Sequence, residues 1–372
     1  MKDAVVYTAE QLATVVASFM DWIECKIIEG DFDGILFVSR EGDFFKRCYE
    51  ISNHSRPFLI RHLEVSRRSL SVPLIFDSYD IEDLIRNRPT RSFKLSGLLK
   101  ERFGVLDFSG TDIDFRTLNK GQVLPIVMKY KNEILYNAKK ERENLMAYFG
   151  GLSQYIEGKK IAVVDIGYNG TTQEKLEKIF DKTIFHGLYL STFIGVKSTL
   201  KKSNYHSFLF HDLDNIKVRN FFTKNIALVE SIFSVGASSV EKYDHNGIPI
   251  YKKNYFHNVY IEEIQEEIFF RVGLKSGVYF SRNEALIALK RVVATPTYNS
   301  AKLFLNSYIE DDFGIGKDRY ILYDPGSPDF ILRSEWKEGA YAIKKNKFLK
   351  VLDNGFFRTV RQLLFKKERY YN

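Results

Sequence analysis

Leu12, Val15, Val16, Phe19, Met20 and Ile23 recur at helical spacing, which predicts an amphipathic helix over residues 9–29 that stops near Gly30. The pattern then changes period. Residues 35–38 form a short apolar run after Gly34 and read as a strand, the polar stretch 39–43 breaks it, and helical character resumes over 44–51. A second strand fits 59–65 and ends in a polar turn at 66–69. Residues 80–150 look mainly helical, with one long candidate over 122–148, and read as an insertion before a third strand at 161–165. A fourth strand fits 185–193. Strand and helix alternate as they do in a parallel sheet, so the predicted class is α/β.

From about residue 216 the texture becomes helical, with segments at 258–275, 282–294 and 298–310 and a hairpin signal at 245–249. The predicted organisation is an α/β core over 1–215, a mostly helical subdomain over 216–350, and a basic terminal helix over 351–372. In that last segment Phe356, Phe357, Val360, Leu363 and Leu364 share one face, and Arg358, Arg361, Lys366, Lys367 and Arg369 enrich the rest. Such a helix suits an anionic membrane surface or a place on the protein's own core equally well.

Composition narrows the partners. The chain of 372 residues carries a formal charge of +8 and a pI near 9.1, which favours an anionic partner. The first residues lack a basic stretch followed by an apolar one, and no apolar run reaches the roughly 18 residues a bilayer span needs. A cytoplasmic protein, peripheral at most to the inner membrane face, is expected. Cys25 and Cys48 read as small hydrophobes rather than a redox pair. The seven histidines show no metal-ligand spacing, there is no nucleophile elbow, and no nucleic-acid module is recognisable. Three Asp-x-Asp pairs, at 31–33, 112–114 and 212–214, are coincidence in a chain with 47 acidic residues.

The chemistry concentrates in 161–172. Four apolar residues, Ile161 to Val164, run into Asp165 at a strand end, and Gly167 and Gly170 then allow the backbone to approach a ligand. Tyr168, Asn169, Thr171 and Thr172 complete a polar turn just before a helix, where unpaired amides attract phosphate. Two more polar turns fall at strand ends. One holds Ser39, Arg40, Glu41, Gly42 and Asp43, and the other holds Arg67 and Arg68.

The motif at 161–172 resembles the signature of the phosphoribosyltransferases, in which a hydrophobic strand runs through two acids into a Thr-Gly-Gly-Thr loop. Val164 stands where the first acid would be, Asn169 replaces a Thr and Thr171 replaces a Gly. The resemblance implies that Asp165 contacts the ribose hydroxyls of phosphoribosyl diphosphate while residues 167–172 hold its 5-phosphate. It also implies that the loop of Ser39, Arg40 and Gly42, helped by Arg67 and Arg68, meets the diphosphate. Mg2+ would travel with that diphosphate rather than in a protein cage. If a sugar hydroxyl is the nucleophile, a carboxylate should remove its proton, and Asp43 or Glu41 is placed to do so.

The segments ILFVSREGDFFKRCYE, EVSRRSL, VVDIGYNGTTQEKLEKIF with GLYLSTF, and ALVESIFSVGASSVEKYDHNGIPIYKK together resemble a group of bacterial O-antigen and capsule biosynthesis proteins. Some members are ribofuranosyltransferases with a phosphoribosyltransferase-like domain, whose product a haloacid-dehalogenase-type phosphatase dephosphorylates. The implied activity is transfer of 5-phosphoribosyl from phosphoribosyl diphosphate to a hydroxyl of a lipid-linked glycan, with the phosphatase on a separate protein. Two other readings stay open at this point. One is a nucleotide-sugar glycosyltransferase or phosphotransferase, and the other is a non-catalytic assembly protein with a degenerate nucleotide fold.

Overall fold

The first helix, α1 (Lys2–Gly30), is the spine of one side of the molecule, because Leu12, Val15, Val16, Phe19, Met20 and Ile23 are all buried along its inner stripe. Asp31 ends it in a left-handed conformation, φ 48°, and its N–H caps the carbonyls of Ile27 and Ile28. The computed structural model describes residues 1–52, 59–87, 94–105, 108–115, 118–200, 204–213, 221–234, 238–252, 258–275, 278–309 and 319–344. The segment 351–372, expected as a basic helix, lies outside the described residues.

The elements that follow α1 are β1 (Gly34–Val38), α2 (Ser39–Ile51), β2 (Leu59–Leu63), α3 (Arg67–Ser71), α4 (Ser78–Asn87), α5 (Leu95–Phe103), α6 (Lys120–Met128), α7 (Lys131–Phe149) and α8 (Ser153–Ile156). Next come β3 (Lys160–Asp165), α9 (Thr171–Ile179), β4 (Ile184–Phe193), α10 (Val196–Leu200), β5 (Tyr205–Leu213), α11 (Phe221–Lys224), α12 (Ile226–Phe233), β6 (Val240–Tyr243) and β7 (Pro249–Tyr251). The chain continues through α13 (Val259–Lys275), α14 (Arg282–Val293), α15 (Tyr298–Lys302), β8 (Tyr308–Ile309), β9 (Arg319–Tyr320), α16 (Phe330–Arg333) and α17 (Lys337–Lys344).

Five strands form one parallel sheet in the order β2-β1-β3-β4-β5. The class is therefore α/β, as the alternation predicted. Both faces are covered, which is why β1 and residues 161–164 of β3 are apolar at successive positions rather than at every second one. Ile35, Phe37, Ala162, Val164, Leu188 and Leu190 pack against α1, α2 and the helices α12 to α14. Leu36, Val38, Ile161 and Val163 pack on the other face with Leu176 of α9 and Leu145 and Phe149 of α7. The helices between β2 and β3 enclose a separate apolar cluster that includes Ile81, Leu98, Phe103, Val127 and Ile134.

Four details differ from the sequence expectations, one being that the helix expected over 298–310 stops at Lys302 and the chain turns into β8 at Tyr308. The polar stretch 39–43 is the first turn of α2 rather than a loop, because Glu41, Phe44, Phe45 and Cys48 already follow helical spacing and are buried together. The single helix expected over 122–148 is two, α6 and α7. Pro125 weakens the first, and the break near Tyr130 lets Val123, Val127, Ile134 and Ala138 enter one cluster. The edge strand β5 was not anticipated, since its sequence mixes His206, Ser207 and His211 with aromatics and carries no clean period.

A buried ion pair ties the insertion to the sheet. Arg68 of α3 donates two parallel hydrogen bonds, each 2.8 Å, to the carboxylate of Glu141 on α7, and a further one to the carbonyl of Glu241 on β6. Removing one partner strands a buried charge, which costs about 3–5 kcal/mol. Arg68→Met should lose that much in urea unfolding, and Arg68→Met with Glu141→Leu should recover most of it. Near the amino ends of the strands, His186 meets Phe32 edge-on at 5.4 Å and His206 at 4.8 Å between ring centroids. Burial, with the positive neighbours His206, Lys160 and Lys26, holds the imidazole of His186 down to about 4. Between that value and the ordinary one near 6.5 the unfolded chain binds the proton and the folded one does not, so stability falls as pH drops through this window. In melting curves from pH 7 to 4, His186→Gln should flatten this loss relative to the unsubstituted protein.

Candidate functional site

In the order β2-β1-β3-β4-β5, the chain leaves β1 toward one edge and β3 toward the other, so a crevice opens between their carboxyl ends. The register aligns Phe37 with Val164, which brings the β1 exit at Ser39 beside the β3 exit at Asp165. The two polar motifs of the sequence therefore meet at one place.

On the β1 side the strand passes into α2 without a connecting loop. Ser39 makes the turn in the left-handed region, φ 68°, a conformation unusual for a residue with a Cβ. Its carbonyl accepts a hydrogen bond from Nε2 of His62, 2.7 Å, which fixes the turn to β2. Gly42 is needed for packing rather than for a ligand. A Cβ there would lie 2.8 Å from the carbonyl carbon of Phe37 and from Cδ2 of His62. Glu41 points inward, is buried, and accepts a hydrogen bond from the Ser234 hydroxyl at 3.0 Å. Asp43 is more open and stands 4.0 Å from Nδ1 of His62.

On the β3 side the backbone N–H groups of Ile166 and Gly167 hydrogen-bond the Asp165 carboxyl. Burial raises that carboxyl well above the usual carboxylate range. The nearby charge of Glu41 adds to the rise, and those two backbone bonds and Arg67 oppose it. Gly167 adopts φ 129°, and a Cβ there would come within 2.1 Å of the Ser191 carbonyl oxygen, so only glycine fits. The loop is laced to β4 by the bonds Ser191 N–H to Ile166 O and Phe193 N–H to Tyr168 O, 3.2 and 2.9 Å. Tyr168 stacks on Phe193 at 4.7 Å, and its buried hydroxyl has no hydrogen-bond partner among the described residues. Burial and the surrounding Glu230, Glu41 and Asp165 push that phenol well up. Gly170, φ 69°, begins α9 against Leu200, followed by a half-buried Thr171 and a buried Thr172, while Asn169 is exposed beside Gly195.

The arginines separate. Arg67 is exposed and close enough to influence Asp165 and Tyr168, whereas Arg68 faces away into its bridge with Glu141. The diphosphate role expected for Arg68 has no support in this placement, since its positive charge is already neutralised.

A cavity of about 330 Å³ adjoins the crevice and is lined in part by Ser39, Arg40, Asp43, His62, Glu64 and Tyr251. Glu64, Ser238 and Tyr251 were not foreseen in the sequence, and neither were Ser234 on Glu41 and Glu230 near Tyr168. They lie within segments 64–70 and 227–253, which carry part of the resemblance to O-antigen and capsule biosynthesis proteins, and that was the available signal. Among the described residues no group of three or more His, Cys, Asp or Glu could hold a metal ion. Also among them, no helix is long and apolar enough to cross a membrane.

The raised Asp165 carboxyl has a measurable consequence. Its folded value exceeds its unfolded one, so the native state loses stability as pH rises from the unfolded value toward the folded one. Asp165→Asn keeps an acceptor for the two loop amides and removes that loss. The melting temperature of the variant should exceed that of the unsubstituted protein at pH 7, and the gap should shrink toward pH 4. No protein-family model matches this chain, and no curated protein matches its sequence.

Proposed function

We propose that the chain transfers the 5-phosphoribosyl group of phosphoribosyl diphosphate to a hydroxyl of a glycan, with a lipid-linked O-antigen or capsular precursor as the acceptor. The observation that carries this reading is the convergence at one sheet crevice of a glycine loop, a helix start and a buried carboxylate. In it, the backbone of residues 167–172 and the hydroxyls of Thr171 and Thr172 receive the 5-phosphate. Asp165 receives the ribose hydroxyls. The diphosphate lies toward Ser39 and Arg40, where the first turn of α2 offers amides without helical partners, and Arg67 adds positive charge.

The reaction breaks the bond between C1 and the diphosphate oxygen, the electron pair leaving with the diphosphate. The acceptor oxygen forms the new bond to C1 and gives up its proton to a carboxylate. Displacement at the α-linked C1 gives a β-ribofuranosyl 5-phosphate, which a separate phosphatase would then hydrolyse. Charge develops on the leaving group, so fixed donors around it supply most of the rate. An Mg2+ ion carried on the diphosphate, held through substrate oxygens and water, would offset the leaving group's negative charge.

Calorimetric titration with phosphoribosyl diphosphate and Mg2+, beside a panel of sugar nucleotides, tests the reading. Selective binding of phosphoribosyl diphosphate is expected, weakened at least about tenfold in Asp165→Ala, or about 1.4 kcal/mol. Preference for a sugar nucleotide would favour a nucleotide-dependent transferase. Binding of neither would leave a non-catalytic role in assembly.

A further inference from the structure

The cavity beside the crevice has a chemistry unlike that of the phosphate loop. Arg40 and Ser39 line it where it adjoins the crevice, but its lining also includes Glu64, Ser238 and the exposed Tyr251. Asp43 and His62 complete this part of the lining, 4.0 Å apart. Two carboxylates make this a poor seat for a second anion. Hydroxyl groups can donate to both, and a tyrosine offers a flat apolar face with a polar tip, so a neutral, hydroxyl-rich ring fits. At about 330 Å³ the cavity is at the small end of small-molecule sites, roughly 300–1,000 Å³, which suits a single sugar unit.

Glu64 is held at both its backbone and its carboxylate. Its N–H donates to the Tyr148 hydroxyl at 2.9 Å, its carbonyl accepts from the Tyr243 hydroxyl at 2.7 Å, and its carboxylate accepts from the Tyr251 hydroxyl. Tyr148 and Tyr243 stack on each other at 4.6 Å. The hairpin carrying Tyr243 and Tyr251 is itself anchored. Ser66 Oγ donates to the Val240 carbonyl at 2.7 Å, Asn144 Nδ2 donates to the Tyr243 carbonyl at 2.8 Å, and Gly247 packs against the backbone of Ala147 and Tyr148. A carboxylate fixed at both its backbone and its head, facing a sugar-sized space next to the donor crevice, is placed for proton transfer.

We propose that this cavity is the acceptor subsite and binds a neutral sugar ring, with Glu64 taking the proton of the attacking hydroxyl and Tyr251 holding Glu64 in position; the assignment rests on the transfer reading above. In the step, the acceptor O–H proton passes to a Glu64 oxygen as the acceptor oxygen bonds to C1, and the diphosphate departs with its electron pair. Asp43 also lines the cavity, 4.0 Å from Nδ1 of His62, and leaves the proton to Glu64.

The test combines two measurements on the full chain. Saturation-transfer NMR with methyl glucoside, galactoside, mannoside and N-acetylglucosaminide should detect at least one bound glycoside. That signal should be lost in Tyr251→Ala, be weakened in Glu64→Gln and persist when inorganic diphosphate is added. Calorimetry should show phosphoribosyl diphosphate binding to Glu64→Gln within about twofold of the unsubstituted protein, while glycoside-dependent transfer falls about 100-fold or more. Tyr251→Phe keeps the ring and removes the bond to the carboxylate, so kcat for glycoside-dependent transfer should fall about tenfold while the KM for the glycoside stays within about twofold. No glycoside bound, displacement of the glycoside by diphosphate, or full transfer by Glu64→Gln would each overturn the acceptor subsite even with donor binding intact. Failure of the unsubstituted protein to bind phosphoribosyl diphosphate would instead remove the transfer reading, and glycoside binding that depends on Tyr251 would still locate a sugar site here.

Discussion

The handedness of strand-helix-strand connections sets the plan of this protein. A parallel crossover is right-handed because a twisted strand feeding a helix packs back onto the sheet only that way. From β1 the chain moves to β2 on one side, and from β3 it moves to β4 on the other, so α2 and α9 must lie on opposite faces. Two helix starts then stand side by side at the carboxyl ends of β1 and β3. Glu41 and Asp165 are close because of this geometry, and the burial that makes Asp165 hard to ionise comes from the same layers of helices.

The hairpin wall depends on a different kind of contact. It is joined to the rest of the molecule by Arg68, Ser66 and Asn144, which all donate to its backbone carbonyls, and by salt bridges from Lys100 to Glu241 and from Lys252 to Glu101. Polar contacts of this kind specify a single register, whereas an apolar patch would tolerate sliding. The sheet core supplies the bulk of the burial, and the polar contacts decide where the second wall stands.

What could be read in the sequence follows from how local the signal is. Strands β1 and β3 were legible because a strand covered on both faces must be a short, wholly apolar run, and α1 because its stripe persists through many turns. The loop at 167–172 was legible through its glycines, and the φ of Gly167 and Gly170 gives the physical reason for them. Arg67 and Arg68 could not be told apart, because only the fold reveals that Glu141, distant in sequence, waits for one of them. Glu64 and Tyr251 were missed for the same reason, being brought together by a hairpin far along the chain. The helical start at Ser39 was misread as a loop because a polar first turn looks like one until its buried partners are known.

The direct passage of β1 into α2 also has a mechanical side. With no linker between them, with Ser39 pinned to His62, and with Gly42 lying on the backbone of Phe37, the central strand and its helix have no slack and behave as one stiff lever. A force applied at the Ser39 turn is carried into the middle of the sheet rather than absorbed locally. Any accommodation between the two walls of the cleft therefore falls to the hairpin and the helices that hold it, whose contacts are hydrogen bonds between separate elements rather than continuous chain.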